Sequence, residues 1–302
     1  MAARFWRGML ACELAIAAAV AWICAKLLAL STPGAIGVAL LTLVAILFLF
    51  VMASYALAFA SRAASGSPRI GYTLRALLTE PAAFGLAQVS MAIEPWMRVR
   101  DTPVPSGGAL VRPVLLIHGV LCDRGVWRRI QGRLRAARFA PVRAVDLEPL
   151  RSDLDSCVSR IEEELLRLHR ESRGARVAIV AHSMGGLVAR AALQSLGPGI
   201  ISRIVTVASP HHGTALAHCL PCKAGQQMRP ASAWLQRLNA AQEGRFAVPV
   251  TSIYSLEDNL LAPARSAELR GAELREIAGV GHFGLLRSRR VLDALVAALA
   301  PA

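Results

Sequence analysis

An apolar run, Val177-Ala178-Ile179-Val180-Ala181, leads through His182 into Ser183, Met184, Gly185 and Gly186, then into the helix-like pattern Leu187-Val188-Ala189-Arg190. A buried strand that turns sharply into a helix at a serine lifts that hydroxyl out of a sheet, the layout of a nucleophile elbow. The turn needs small neighbours. Gly185 meets that need on the far side. Ala181 stands where a first glycine is usual, and alanine serves there if the requirement is close approach rather than a positive φ. A free serine hydroxyl is a weak nucleophile at neutral pH, so covalent acyl chemistry at Ser183 requires a base and a group that orients the base.

One known arrangement of such an elbow serine has the acid and then the histidine following it along the chain. His282 is the histidine beyond residue 219, in Gly279-Val280-Gly281-His282-Phe283-Gly284, after a predicted strand. Asp258 follows another predicted strand and precedes an apolar-apolar-x-Pro turn; its neighbour Glu257 is expected to be a solvated charge. Asp146 also ends a strand but precedes Ser183, which fits that order poorly. Two backbone N–H groups must stabilise the oxyanion. Met184, directly after the serine, supplies one. Val120, in the loop His118-Gly119-Val120 after the first strand of the domain, supplies the other. His118 lies too far upstream to serve as the base and is read as structural.

These residues need a scaffold, and the pattern from residue 113 onward provides one. Strands are predicted at 113–117, 142–147, 176–181, 201–208, 248–255 and 274–278. Amphipathic helices are predicted at 154–169, with Glu162, Glu163 and Glu164 on the polar side, and at 187–196 and 285–299. Continuous apolar strands between helices predict an α/β fold, a mainly parallel sheet covered on both faces, with chemistry in loops at the carboxyl ends of strands. Residues 215–247 hold Leu216, Leu220, Met228, Trp234, Leu235 and Leu238 and suit a cap or lid; ordinary helices packed on the sheet edge are the alternative. Cys219-Leu220-Pro221-Cys222 with three nearby histidines lacks a second close ligand pair, so plain thiols are expected there rather than a metal site, with a labile disulfide as the alternative.

The N-terminal quarter differs in kind. The chain is 55% hydrophobic, high for a soluble globule, and residues 27 to 61 carry no charge. The runs 9–30 and 35–60 are each long enough to cross a bilayer. Ser31-Thr32-Pro33-Gly34 turns between them, which predicts a transmembrane helical hairpin over 1–61. Glu13 and Lys26 sit near the ends of the first run. A cleaved signal peptide is the rival reading, but Glu13 interrupts its apolar stretch. Arg4 and Arg7 before the hairpin and Arg62, Arg69 and Arg75 after it place both ends in the cytoplasm by the positive-inside rule. Residues 62–112 read as a connector of short interfacial helices broken by Pro81 and Pro95, with linker-like Ser65-Gly66-Ser67-Pro68. The domain then runs from 113 to 302.

Leu116-Ile117-His118-Gly119-Val120, Ala181-His182-Ser183-Met184-Gly185-Gly186, Ser209-Pro210-His211-His212-Gly213-Thr214 and Gly281-His282 together resemble the bacterial lipase and esterase branch of the α/β-hydrolase superfamily. The resemblance covers roughly 113–299. It implies an α/β-hydrolase fold, a triad of Ser183, Asp258 and His282, and cleavage of carboxylic esters of lipids or other acyl groups through an acyl-enzyme. Thioesterase or acyltransferase chemistry on the same fold, or a non-catalytic membrane scaffold, are the alternatives. Many members of this branch are secreted, whereas the hairpin predicts a multi-pass protein of the bacterial cytoplasmic membrane with a cytosolic domain.

The formal net charge is +14, carried almost entirely by arginine. It fits an arginine-rich coding bias or attraction to an anionic membrane surface. The arginines are scattered and accompany no nucleic-acid-binding motif, so a nucleic-acid partner is not expected. No cofactor motif is present and the expected chemistry needs none.

Overall fold

Alternation within the apolar runs decides the layers. The computed structural model describes residues 2–60, 70–106, 110–147, 152–242 and 244–300. Strands β1 (Val114–Ile117), β2 (Val142–Val145), β3 (Val177–His182), β4 (Ile201–Val207), β5 (Val250–Tyr254) and β6 (Glu273–Glu276) form one six-stranded sheet in the order β2-β1-β3-β4-β5-β6. Every neighbouring pair is parallel, with Leu116 opposite Val180 and Val180 opposite Val205. Side chains of a strand face alternate sides. Val114, Leu116, Ala178 and Val180 therefore join one buried cluster, and Leu115, Ile117, Ile179 and Ala181 join the other. The edge strand β6 exposes Glu273, Arg275 and Glu276, charges that discourage pairing with another chain.

Helices α5 (Leu154–Glu171), α6 (Met184–Leu196) and α8 (Ala233–Gln242) cover one face; α4 (Arg128–Ala136) and α10 (Arg289–Leu299) cover the other. Asp153 caps α5 by accepting from the Ser156 N–H at 2.8 Å, and Leu154, Cys157, Ile161, Leu165 and Leu168 form its buried stripe. Glu164 departs from its expected polar side: it is buried, and its carboxylate accepts from Arg167 at 2.6 and 2.7 Å. Sequence periodicity also missed α4. Its buried Ile130 and Leu134 are hidden among arginines.

Three helices precede the sheet: α1 (Ala2–Leu28), α2 (Thr32–Ala60) and α3 (Ile70–Ala92). Both α1 and α2 are long and apolar enough to cross a membrane. The first begins at Ala2 rather than Met9, because Trp6 is buried against the domain and extends the helix toward it. Helix α3 corrects the expectation of short helices broken by Pro81. It runs through Pro81 without ending, since Glu80, Phe84 and Met91 on it are buried in the core and that packing outweighs a lost backbone bond. Pro95, by contrast, lies past its end. Glu13, the charge within the first apolar run, accepts from Gln88 Nε2 of α3 at 3.0 Å. The expected linker at Ser65–Pro68 lies outside the described residues.

The apolar surface of the hairpin is divided. Trp6, Val51, Tyr55 and Ala58 are buried near its two free ends, whereas Trp22, Leu27, Leu28, Leu40, Leu41 and Val44 around its turn are exposed. A patch that size on a helix pair implies a nonaqueous neighbour. Near its free ends one side of the hairpin is packed against protein while Leu57 and Phe59 stay exposed; around the turn large apolar side chains are exposed as well.

Candidate active site

Ser183 stands between β3 and α6 with φ 54° and ψ −127°, outside the regions that L-residues favour. Such a conformation costs about 1–3 kcal/mol and persists only where the surroundings fix it. Here the Ser183 N–H donates to Val207 O at 2.9 Å, and two glycines admit the close approach. A Cβ on Gly185 would stand 2.8 Å from His118 O, and one on Gly119 would stand 2.7 Å from Ser183 Cβ. The loop after β1 is thereby pressed against the elbow. These loops lie at the carboxyl ends of the neighbouring strands β1 and β3, where the chain leaves β1 toward β2 in one direction and β3 toward β4 in the other. That switch point opens a crevice.

His282 opens the short helix α9 (His282–Leu285). Its Nδ1 lies 2.8 Å from Asp258 Oδ2 and 3.0 Å from Oδ1, with both residues almost fully buried. Asp258 Oδ1 also accepts from the Leu260 and Leu261 N–H groups at 2.8 and 3.0 Å. A carboxylate at Nδ1 fixes the proton there and leaves the Nε2 lone pair as the basic site. His282 and Ser183 line the same cavity, about 320 Å³ in volume, together with Val120. Of the five residues predicted for the site, Ser183, Val120 and His282 line this cavity, Met184 follows Ser183 at the elbow, and Asp258 is joined to the others through His282. Met184 is the first residue of α6, whose first-turn amides lack intrahelical acceptors.

Glu257 is corrected from solvated charge to buried strut. It accepts from the Gly279 N–H at 2.7 Å and from Ser255 Oγ at 3.1 Å, tying the Asp258 loop to the His282 loop. His118 is structural in a definite way. Its Nε2 accepts from the Leu147 N–H at 2.9 Å, so Nδ1 carries the proton and donates to Gly119 O at 2.8 Å. Burial lowers its pKa and keeps the ring neutral. His182 packs its ring 4.7 Å from that of His282; burial, reinforced by His282, holds it well below the usual histidine range. His211 joins a buried network with Thr206 and Arg190, and Arg190 in turn reaches Gln242 and Asn239 of α8. Burial pushes the Arg190 guanidinium down to about 10.

The 215–247 region divides at its middle. Leu216, Leu220 and Met228 line the cavity, whereas Trp234, Leu235 and Leu238 of α8 pack into the core behind the sheet. Cys222 Sγ accepts from the Gly225 N–H at 3.3 Å and caps α7 (Lys223–Gln227), and Cys219 faces the cavity as a free thiol.

Sequence reasoning missed how the N-terminal helices grip the site. Trp6 Nε1 donates to Leu121 O, beside Val120, at 2.6 Å. Tyr55 Oη donates to Glu257 O at 2.9 Å, and Asn259 Nδ2 donates to Ser54 Oγ at 2.8 Å, both beside Asp258. Glu80 accepts from the Phe283 and Gly284 N–H groups at 2.7 and 2.9 Å, directly after His282, and Asn259 Oδ1 accepts from the His282 N–H at 3.0 Å. The loops that carry Val120, Asp258 and His282 are thus each bonded to a helix from the first 92 residues, whereas the Ser183 elbow is held from within the sheet. Burial raises the Glu80 carboxyl to about 8, with Asp258 adding to the rise. A lone acid inside an otherwise apolar helical stretch was the one signal in the sequence for Glu80.

The comparisons with known proteins fit this geometry. A family model described as the PGAP1-like alpha/beta domain matches residues 142–253, from β2 through β5; it includes Ser183 and stops short of Asp258 and His282. Aspergillus fumigatus lipase B superposes with a TM-score of 0.57 at 20% identity, covering 65% of this chain and 55% of that one. Bacillus licheniformis lipase BlEst2 in its mature form gives 0.56 at 16% identity, covering 66% and 96%. This chain is an α/β-hydrolase by fold. Among curated proteins, this chain is 38% identical over 58 residues to a GPI inositol-deacylase of Cryptococcus neoformans var. neoformans, covering 19% of this chain and 8% of that protein. The match therefore spans less than a tenth of that relative.

Proposed function

We propose that this protein is a membrane-bound serine hydrolase that cleaves carboxylic esters of lipids. The observation that carries the reading is one apolar cavity holding a strained serine at its floor and a histidine whose Nδ1 is engaged by a buried aspartate. Ser183 Oγ attacks the ester carbonyl while His282 Nε2 takes its proton. The Val120 and Met184 N–H groups stabilise the oxyanion. His282, now protonated, gives its proton to the departing alcohol. Water then hydrolyses the acyl-enzyme by the same route in reverse, and Asp258 stabilises the imidazolium in both halves. The relatives support an acyl substrate: two are named lipases and one a deacylase.

The full-length protein, labelled with a fluorophosphonate probe, is expected to react at Ser183, and Ser183→Ala to abolish both labelling and turnover of nitrophenyl esters. Absence of Ser183-dependent labelling in folded wild-type protein would leave only the scaffold reading. The orientation follows from the arginines flanking the hairpin and from both its free ends meeting the domain. The domain lies on the cytoplasmic side of the membrane. A C-terminal alkaline phosphatase fusion is expected to be inactive and a fluorescent-protein fusion bright; the opposite pair reverses the topology.

A further inference from the structure

The cavity above Ser183 has two walls of different origin. One comes from the α/β domain, with Leu216, Leu220 and Met228. The other comes from the N-terminal helices, with Trp6 of α1, Phe50 of α2 and Phe84 of α3. The three aromatic residues form one continuous surface. Phe50 stacks on Phe84 with centroids 4.6 Å apart and planes at 14°; Trp6 meets Phe84 edge-on at 5.9 Å. Phe84 in turn contacts Phe283, whose ring lies 5.7 Å from that of His282. The aromatic wall thus runs from the hairpin to the imidazole.

Position along the hairpin fixes where this wall stands. Trp6 is near the start of α1, and Phe50 lies about two-thirds of the way along α2. Beyond them the hairpin exposes apolar side chains such as Leu40, Leu41 and Val44. Helix α3 adds exposed Leu74, Leu78, Leu86 and Val89 beside its buried Phe84. The cavity therefore sits where protein-packed helix gives way to helix with an apolar outer surface. An acyl chain held between these helices stays in apolar surroundings from the bilayer to Ser183, with no passage through water and no loss of its hydrophobic stabilisation on the way.

We propose that the membrane hairpin is half of the acyl-chain site: one acyl chain of a bilayer lipid lies along Trp6, Phe50 and Phe84, which set the chain length accepted. This rests on the serine-hydrolase reading and adds to it a substrate class, a long-chain membrane lipid, and the residues that select it. A pocket enclosed by the α/β domain alone would select chain length through residues 214–228 and leave the hairpin a passive tether.

The test uses full-length protein in nanodiscs and two probes, hexadecyl and ethyl fluorophosphonate, with the ratio of their labelling rate constants at Ser183 as the readout. The wild-type ratio favours hexadecyl. Phe50→Trp and Phe84→Trp, which fill the wall, lower the ratio by roughly tenfold or more, the scale of pocket discrimination for apolar groups. Phe59→Trp, an exposed residue further along α2, leaves it at the wild-type value. An unchanged ratio in both wall variants, or an equal fall in Phe59→Trp, overturns the proposal. A second measurement needs no variant. A diazirine on the long chain of a fluorophosphonate bound at Ser183 cross-links to peptides of α1, α2 or α3; cross-links confined to residues 214–228 and 260–261 overturn it. Wild-type protein that reacts with neither probe at Ser183 sinks the hydrolase reading instead, and the acyl-chain site with it.

Discussion

In the sheet region, each candidate group follows from local order. β3 aims Ser183, Gly185 lets the elbow touch the loop after β1, and the loop after β5 delivers Asp258. In the N-terminal helices, the lone acid Glu80 is the one local sign of a role. Trp6, Tyr55 and Glu80 act across more than a hundred residues of sequence, bonding the loops that carry Val120, Asp258 and His282. The first region carries the candidate reacting groups; the second bonds three of the loops around them and walls the cavity. The difference teaches that an apolar hairpin, which composition marks as an anchor, is also part of the site's walls and struts. Removing it would expose the cavity and free three loops together.

Variants in each region test that division. The largest effect is expected from the sheet side. Asp258→Asn reverses the favoured tautomer of His282, and kcat on a short nitrophenyl ester should fall by about 10⁴-fold. Glu257→Gln, at the neighbouring buried strut, should cost far less; equal losses would mean that the acid has been assigned to the wrong residue.

An intermediate effect is expected from the helices. Glu80→Ala leaves the Phe283 and Gly284 N–H groups without their acceptor, at about 1–3 kcal/mol for each buried donor. The displaced His282 loop should lower kcat by roughly 10- to 100-fold. Glu80→Gln keeps one acceptor and should recover part of the loss. If Glu80→Ala matches wild type in kcat, α3 is only a tether and the division proposed here is wrong.

The smallest effect concerns pH. Glu80 is neutral below about 8 and becomes a buried anion above it. Wild-type kcat/KM should therefore show an alkaline fall centred near that pH, absent from Glu80→Gln. Stability carries the same signature. The folded carboxyl titrates at about 8 and the unfolded one near its ordinary 4.5, so between these values the folded state binds more protons. The Glu80 contribution is fully present below pH 4.5 and is lost as pH rises through 8. Thermal melts of wild type across that range should fall more steeply than those of Glu80→Gln; parallel curves would place the titration elsewhere.

Much of this was legible beforehand for reasons of period. Strands buried on both faces read as apolar runs, and the Ser183 elbow, the glycines and the order Ser, Asp, His are short-range patterns. Helix α4 was not legible, because Ile130 and Leu134 alone make a weak stripe among arginines. Pro81 was misread as a break because local propensity cannot register the packing of Phe84 and Met91 that holds α3 together. Glu257 was misread as solvated because burial of a carboxylate depends on donors, here Gly279 and Ser255, that lie elsewhere or turn inward only on folding.

Residue type and spacing within single elements account for the layers, the apolar hairpin and the choice of candidate groups for acyl chemistry. Only the tertiary structure decided that Glu80 supports the His282 loop, that Trp6 and Tyr55 hold its neighbours, and that Phe50 and Phe84 wall the cavity. Those contacts join segments up to about two hundred residues apart, as the separation of 203 between Glu80 and Phe283 shows. No periodicity encodes such a pair. It arises when buried polar groups must find partners and apolar side chains must fill space, whichever part of the chain supplies them.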